Sequence, residues 1–158
     1  MKPRTSFCAF TKFRQMTTLM DPELKLTKKG TEFVQTQTDH LVLKCVQLMR
    51  KNQRSKTLRG PQVASFVQAL RIMGVEIPDC APYDSIYSAR LGYHVVKKAH
   101  PSFRMAKDAP KELYKLYLAC LQELIGCIQR EVVDTTKRLT PTHLEKILKQ
   151  SKLSHLCT

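Results

Sequence analysis

The chain writes one pattern twice, and that repetition limits its fold more than any single motif does. Each copy is a short apolar-periodic stretch, a long one and a short one, cut apart by turn residues. In the first copy Phe10, Phe13, Met16 and Met20 recur every three or four residues, the spacing of one helix face. Asp21-Pro22 ends that helix, because the residue before proline is pushed out of helical space. A long periodic stretch runs from about Thr27, a suitable N-cap, to Lys51. On its inner face lie Phe33 or Val34, His40 or Leu41, Cys45, Leu48 and Met49. After a polar basic loop at 52–57, Gly60-Pro61 opens a third helix carrying Val63, Phe66, Val67, Leu70 and Met73. Gly74 suits its C-terminal cap.

Residues 76–84, with Pro78, Pro82 and three acids, read as a linker, and then the pattern restarts. Ser85–Ala99 reads as a helix closed by His100-Pro101. A long helix from Ala109 to Val133 presents Leu113, Tyr117, Cys120, Leu124 and Ile128 as a stripe. A basic loop follows at 134–138, and Thr140-Pro141 opens a short helix bearing Leu144, Ile147 and Leu148. Lys56-Thr57-Leu58-Arg59-Gly60-Pro61 aligns with Lys137-Arg138-Leu139-Thr140-Pro141-Thr142. Leu24-Lys25-Leu26-Thr27-Lys28-Lys29-Gly30 aligns with Phe103-Arg104-Met105-Ala106-Lys107-Asp108-Ala109. The expected class is all-α.

Composition narrows the partner. The chain holds 27 Lys and Arg against 13 Asp and Glu, a formal charge of +14, and both halves are net positive. Such an excess favours a polyanion. Apolar runs are too short for a membrane span, so no membrane partner is expected. The six cysteines form no C-x-x-C pair and read as thiols of a reduced, intracellular protein rather than as zinc ligands; Cys45, Cys120 and Cys127, at helical spacing among apolar residues, read as small buried hydrophobes. No Gly-rich phosphate loop, G-x-S-x-G or H-E-x-x-H is present, and the five histidines are scattered. No enzyme, cofactor, metal site or small-molecule substrate is expected. Residues 1–20 contain four basic residues and no acid, which fits either a basic arm (1–9) before the first helix or a mitochondrial transit peptide.

Short–long–short helices, with a basic Lys-Thr-Leu loop (Lys56-Thr57-Leu58) before the last helix, resemble the histone fold. The nearest types are archaeal histones and the CCAAT-binding and negative-cofactor transcription subunits, to which Asp21-Pro22-Glu23-Leu24 is also similar. The resemblance covers residues 10–75 and 85–155, two histone folds in tandem. It implies an intramolecular handshake pseudodimer in which the first loop of each copy lies beside the second loop of the other. A nine-residue linker reaches roughly 30 Å when extended, enough to join the two copies. The handshake then gathers Lys25 and Lys28 with Lys137 and Arg138, and Arg104 and Lys107 with Arg54, Lys56, Thr57 and Arg59. Phosphate contact needs only positive charge and backbone donors, so sequence-independent binding of double-stranded DNA is the implied mode, in a nuclear chromatin or transcription protein. Two other readings stay open: a subunit that docks other histone-fold proteins within a larger complex, and a component of a mitochondrial ribonucleoprotein. In both copies the sequence departs from the family, which places an aspartate early in the third helix, paired with a loop arginine; Gln62 and His143 stand there instead.

Overall fold

A computed structural model describes residues 6–51, 56–86, 89–131 and 138–153. In chain order these form α1 (Phe10–Met20), α2 (Lys28–Lys51), β1 (Thr57–Leu58), α3 (Gly60–Ile72), a 3-10 turn (Ala81–Tyr83), α4 (Ala89–Ala99), β2 (Arg104–Met105), α5 (Ala109–Glu131) and α6 (Pro141–Leu148). The chain is mostly helical, and short, long and short helices follow one another twice.

The ends of the helices trace to particular residues. Asp21, extended at φ −149° before Pro22, ends α1 and donates its N–H to the Thr17 carbonyl. Gly74, at φ +94°, closes α3: its N–H bonds the Arg71 carbonyl at 3.0 Å, and the Val75 N–H bonds Leu70 at 3.0 Å. A left-handed residue after the last turn lets both bonds form, and glycine takes that conformation without steric cost. One boundary departs from the expected Ser85 start. The Ile86 N–H turns back to the Tyr83 carbonyl at 2.9 Å, so Ser85 and Ile86 continue the turn instead of starting the helix, and the described part of α4 is Ala89–Ala99. Tyr83 is buried there, and the Tyr114 hydroxyl donates to the Cys80 carbonyl at 3.0 Å, fastening the linker to α5.

Helix α5 is the centre of the molecule. The expected stripe is buried, but so is every residue from Leu116 to Leu121. A helix buried all round has neighbours on every side, and α1, α2, α3, α4 and α6 all pack on it. Helix α2 is sided differently. Val34, Leu41, Val42, Cys45, Val46 and Met49 face the core, whereas His40 is exposed. Beside that face Thr31, Gln35, Thr38 and Asp39 are also buried, and part of their cover is the segment before α1. Gln35 Nε2 donates to Ser6 Oγ and to the Cys8 carbonyl, both at 2.9 Å, and the Phe7 N–H donates to Asp39 Oδ1 at 3.4 Å. The Phe7 ring lies 5.6 Å from that of Tyr117. Phe7 and Cys8, which the composition groups with a basic arm, are therefore core residues.

The two halves are joined by backbone bonds between loops. β1 and β2 pair in parallel, Thr57 opposite Arg104, with Arg104 N–H to the Lys56 carbonyl and Ala106 N–H to the Leu58 carbonyl, both at 2.9 Å. At the other end of α2, Leu26 bridges Leu139 in parallel. There the Thr27 N–H reaches the Leu139 carbonyl at 3.1 Å, and the Leu139 N–H reaches Lys25 at 3.0 Å. So the first loop of each half pairs with the second loop of the other, inside one chain.

Two predictions arise from this packing. An exposed helical glycine replaced by alanine gains about 1 kcal/mol. At Gly30, however, a Cβ would collide with the Leu139 carbonyl oxygen of the other half. Gly30→Ala should therefore lose roughly 1–3 kcal/mol in urea denaturation, and a stabilised variant would mean the loops do not meet within the chain. The second concerns Asp39. Burial pushes its carboxyl up to about 7, with hydrogen bonds from Ser6 and Phe7 opposing. The folded chain thus holds a proton that the unfolded chain, with its usual 3.8, gives up. That contribution is full below pH 4 and is lost as pH rises through 7. Asp39→Asn should be more stable than wild type at pH 8, on the order of 1–3 kcal/mol, with the gap closing towards pH 4.

Candidate nucleic-acid interface

At the first end, the loop between α1 and α2 is held from both sides. Asp21 accepts the Glu23 N–H at 3.0 Å through one oxygen and Gln129 Nε2 at 3.0 Å through the other. Thr27 Oγ1 accepts the Gly30 N–H at 2.9 Å, capping α2, and donates to the Leu139 carbonyl at 3.2 Å. These bonds fix Lys25 and Lys28 beside Arg138, as the sequence leads one to expect. A cleft of about 320 Å³ opens there, lined by Arg14, Lys25, Lys28 and Arg138 and, among the described residues, by no carboxylate. Three threonines also line it, but their protons point inward: Thr17 and Thr18 donate to the Arg14 carbonyl at 2.8 and 3.0 Å, and Thr31 to the Thr27 carbonyl at 3.0 Å. The hydroxyls therefore offer only lone pairs outward, and the four cations carry the attraction for an anion.

At the second end, β1 and β2 set Thr57 opposite Arg104, with Lys56 just before it. Lys56, Arg59, Arg104 and Lys107 are exposed, and Thr57 is half-buried in the strand pair. The approach to Arg104 is rigid. Lys97 Nζ donates to the Pro101 carbonyl at 2.9 Å and to the Phe103 carbonyl at 3.1 Å. Phe103 is buried, with the His100 ring edge-on at 5.5 Å and the Arg50 guanidinium 5.1 Å above its face. Burial holds the His100 imidazole below its usual range; the Leu43 carbonyl opposes this and the Arg50 charge adds to it. Across the pair, Gln62 Oε1 accepts the Arg59 N–H at 2.8 Å, and Asp108 Oδ1 accepts the Gly60 N–H at 2.9 Å.

No family model and no curated protein matches the chain.

Lys25, Lys28 and Arg138 come together at one end, and Lys56, Thr57, Arg59, Arg104 and Lys107 at the other. Arg54 and Lys137 lie outside the described residues. Neither ion pair among the described residues, Lys115–Glu112 or Arg130–Glu123, draws on these cations. Their charge is thus open to a ligand, and lysine and arginine on paired loops suit a polyanion. Arg14 joins them from the polar side of α1, whose periodicity points only to its apolar face; the signal in the sequence is the short distance from α1 to a lysine-bearing loop. Asp108 was missed too, because its partner Gly60 is 48 residues away. No helix among the described residues is long and apolar enough to cross a membrane.

Thr27 serves both its own helix and the opposite loop. Thr27→Ala should lower stability by about 1 kcal/mol, a fall of roughly 3 °C in Tm on calorimetry. An unchanged Tm would mean that neither bond matters to the pairing.

Proposed function

We propose that this chain is a self-paired tandem histone fold that binds duplex DNA through its phosphates, in chromatin organisation or transcription in the nucleus. The observation that carries the reading is reciprocal: each half's first loop pairs in parallel with the other half's second loop, and both pairs bear lysine and arginine. Spacing adds support. The two loop pairs flank α2, whose 24 residues span roughly 36 Å at 1.5 Å per residue. One turn of B-DNA is about as long. Contacts of this kind position a duplex without reading bases, so affinity should be indifferent to sequence and steep in salt.

The test is fluorescence anisotropy on unrelated duplexes across a salt series. Lys25→Ala with Arg138→Ala should weaken binding to every duplex alike and flatten the plot of log affinity against log salt by about two. A loss confined to one sequence would indicate base readout, and wild type that binds no duplex would sink the reading. The docking-subunit reading draws on a separate feature: Ile72 is 78% exposed and Met73 51% exposed at the end of α3. A chain of that kind would leave duplexes unbound and would be found as a stable hetero-oligomer by light scattering.

A further inference from the structure

We propose that the two ends are unequal: Asp108 weakens the second end's hold on phosphate, and the first end is the stronger anchor of a duplex. The inference rests on the DNA reading above. Three differences between equivalent positions carry it.

The first is a change of sign. Lys29 and Asp108 occupy the same place in the two halves, each immediately before Gly30 or Ala109. Where one end adds a cation, the other adds a carboxylate. The second difference is what that carboxylate does. Asp108 Oδ1 takes the Gly60 N–H at 2.9 Å, so a donor at the start of α3 already holds an anion of the protein's own. Gly60 makes room for it. A Cβ there would stand 2.7 Å from Asp108 Cγ and 2.9 Å from Oδ2, so a side chain at this position would push the carboxylate away. At the first end the matching residue is Pro141, which has no N–H to satisfy. The third difference lies on the first helix of each half. Arg14 lines the first cleft, and its counterpart on α4 is Tyr93. Lys97, one turn along α4, spends its ammonium on the Pro101 and Phe103 carbonyls. A phosphate at the first end therefore meets four cations in a cleft that, among the described residues, has no carboxylate in its lining. At the second end it meets four exposed cations and a fixed negative charge on a helix start.

Neutralising each end separately, with and without Asp108, tests this on the full chain. Asp108→Asn keeps an acceptor for the Gly60 N–H and removes the charge, so the fold should hold, as circular dichroism and Tm would report. Anisotropy with a short duplex should show wild type losing far more affinity from Lys25→Ala with Arg138→Ala than from Lys56→Ala with Arg104→Ala. Asp108→Asn should tighten binding roughly three- to tenfold at 0.1 M salt and steepen the salt slope by about one. In that background the Lys56→Ala, Arg104→Ala pair should become costly. Equal losses at the two ends of wild type, together with no gain from Asp108→Asn, would overturn the inference and leave DNA binding intact. If neither pair of substitutions alters duplex affinity, the DNA reading fails and this inference fails with it.

Discussion

Four backbone hydrogen bonds between loops of opposite halves decide how this chain is arranged. They tie Lys56 and Leu58 to Arg104 and Ala106 at one end of α2, and Lys25 and Thr27 to Leu139 at the other. With both ends clamped, α2 lies against α5, and the buried apolar residues of both halves belong to one core. The clamp also explains local choices that make little sense within one half. Gly30 sits in a helix because a backbone carbonyl from the other half occupies the space of its side chain. Thr27 caps its own helix and bonds the opposite loop with one oxygen.

The third helices show how a departure from a family pattern can be satisfied. In the histone fold proposed for this chain, the expected residue early in that helix is an aspartate paired with a loop arginine. Here Gln62 takes the Arg59 backbone N–H, and His143 Nδ1 lies 3.0 Å from Thr140 Oγ1. Thr140 stands extended at the N-cap position, yet its hydroxyl meets His143 rather than the helix backbone. Arg59 and Arg138 are both exposed.

How much of this could be read beforehand depended on the range of the interaction. Helix ends were legible because Pro22, Pro61, Gly74 and Thr27 act on their own few residues. The clustering of Lys25, Lys28 and Arg138 was legible only through the family resemblance, since nothing local joins residue 25 to residue 138. The total burial of α5 was hidden because periodicity reports one stripe, while five helices press on this one from all sides. Phe7 and Cys8 escaped notice because a four-residue segment has no period, and its partners Gln35, Asp39 and Tyr117 are far along the chain. Ser85 and Ile86 lie outside the expected helix because a buried tyrosine and a 3-10 turn hold them.

An all-helical chain is normally rich in local contacts and folds quickly. This one is different in a way that its loop pairing dictates. Thr27 bonds Leu139 across 112 residues, and Cys8 meets Tyr117 across 109. Nearly the whole chain must therefore be present before the first half can close. On a ribosome adding about 5–20 residues per second, the roughly 80 residues of the second half take about 4–16 s to follow the first. Until α5 has been made within that interval, the face of α2 that carries Val34, Leu41, Val42 and Cys45 lacks the long helix against which α2 packs. Joining two mutually dependent halves in one chain spares the search for a partner, but it leaves the earlier half waiting for the later one at every round of synthesis.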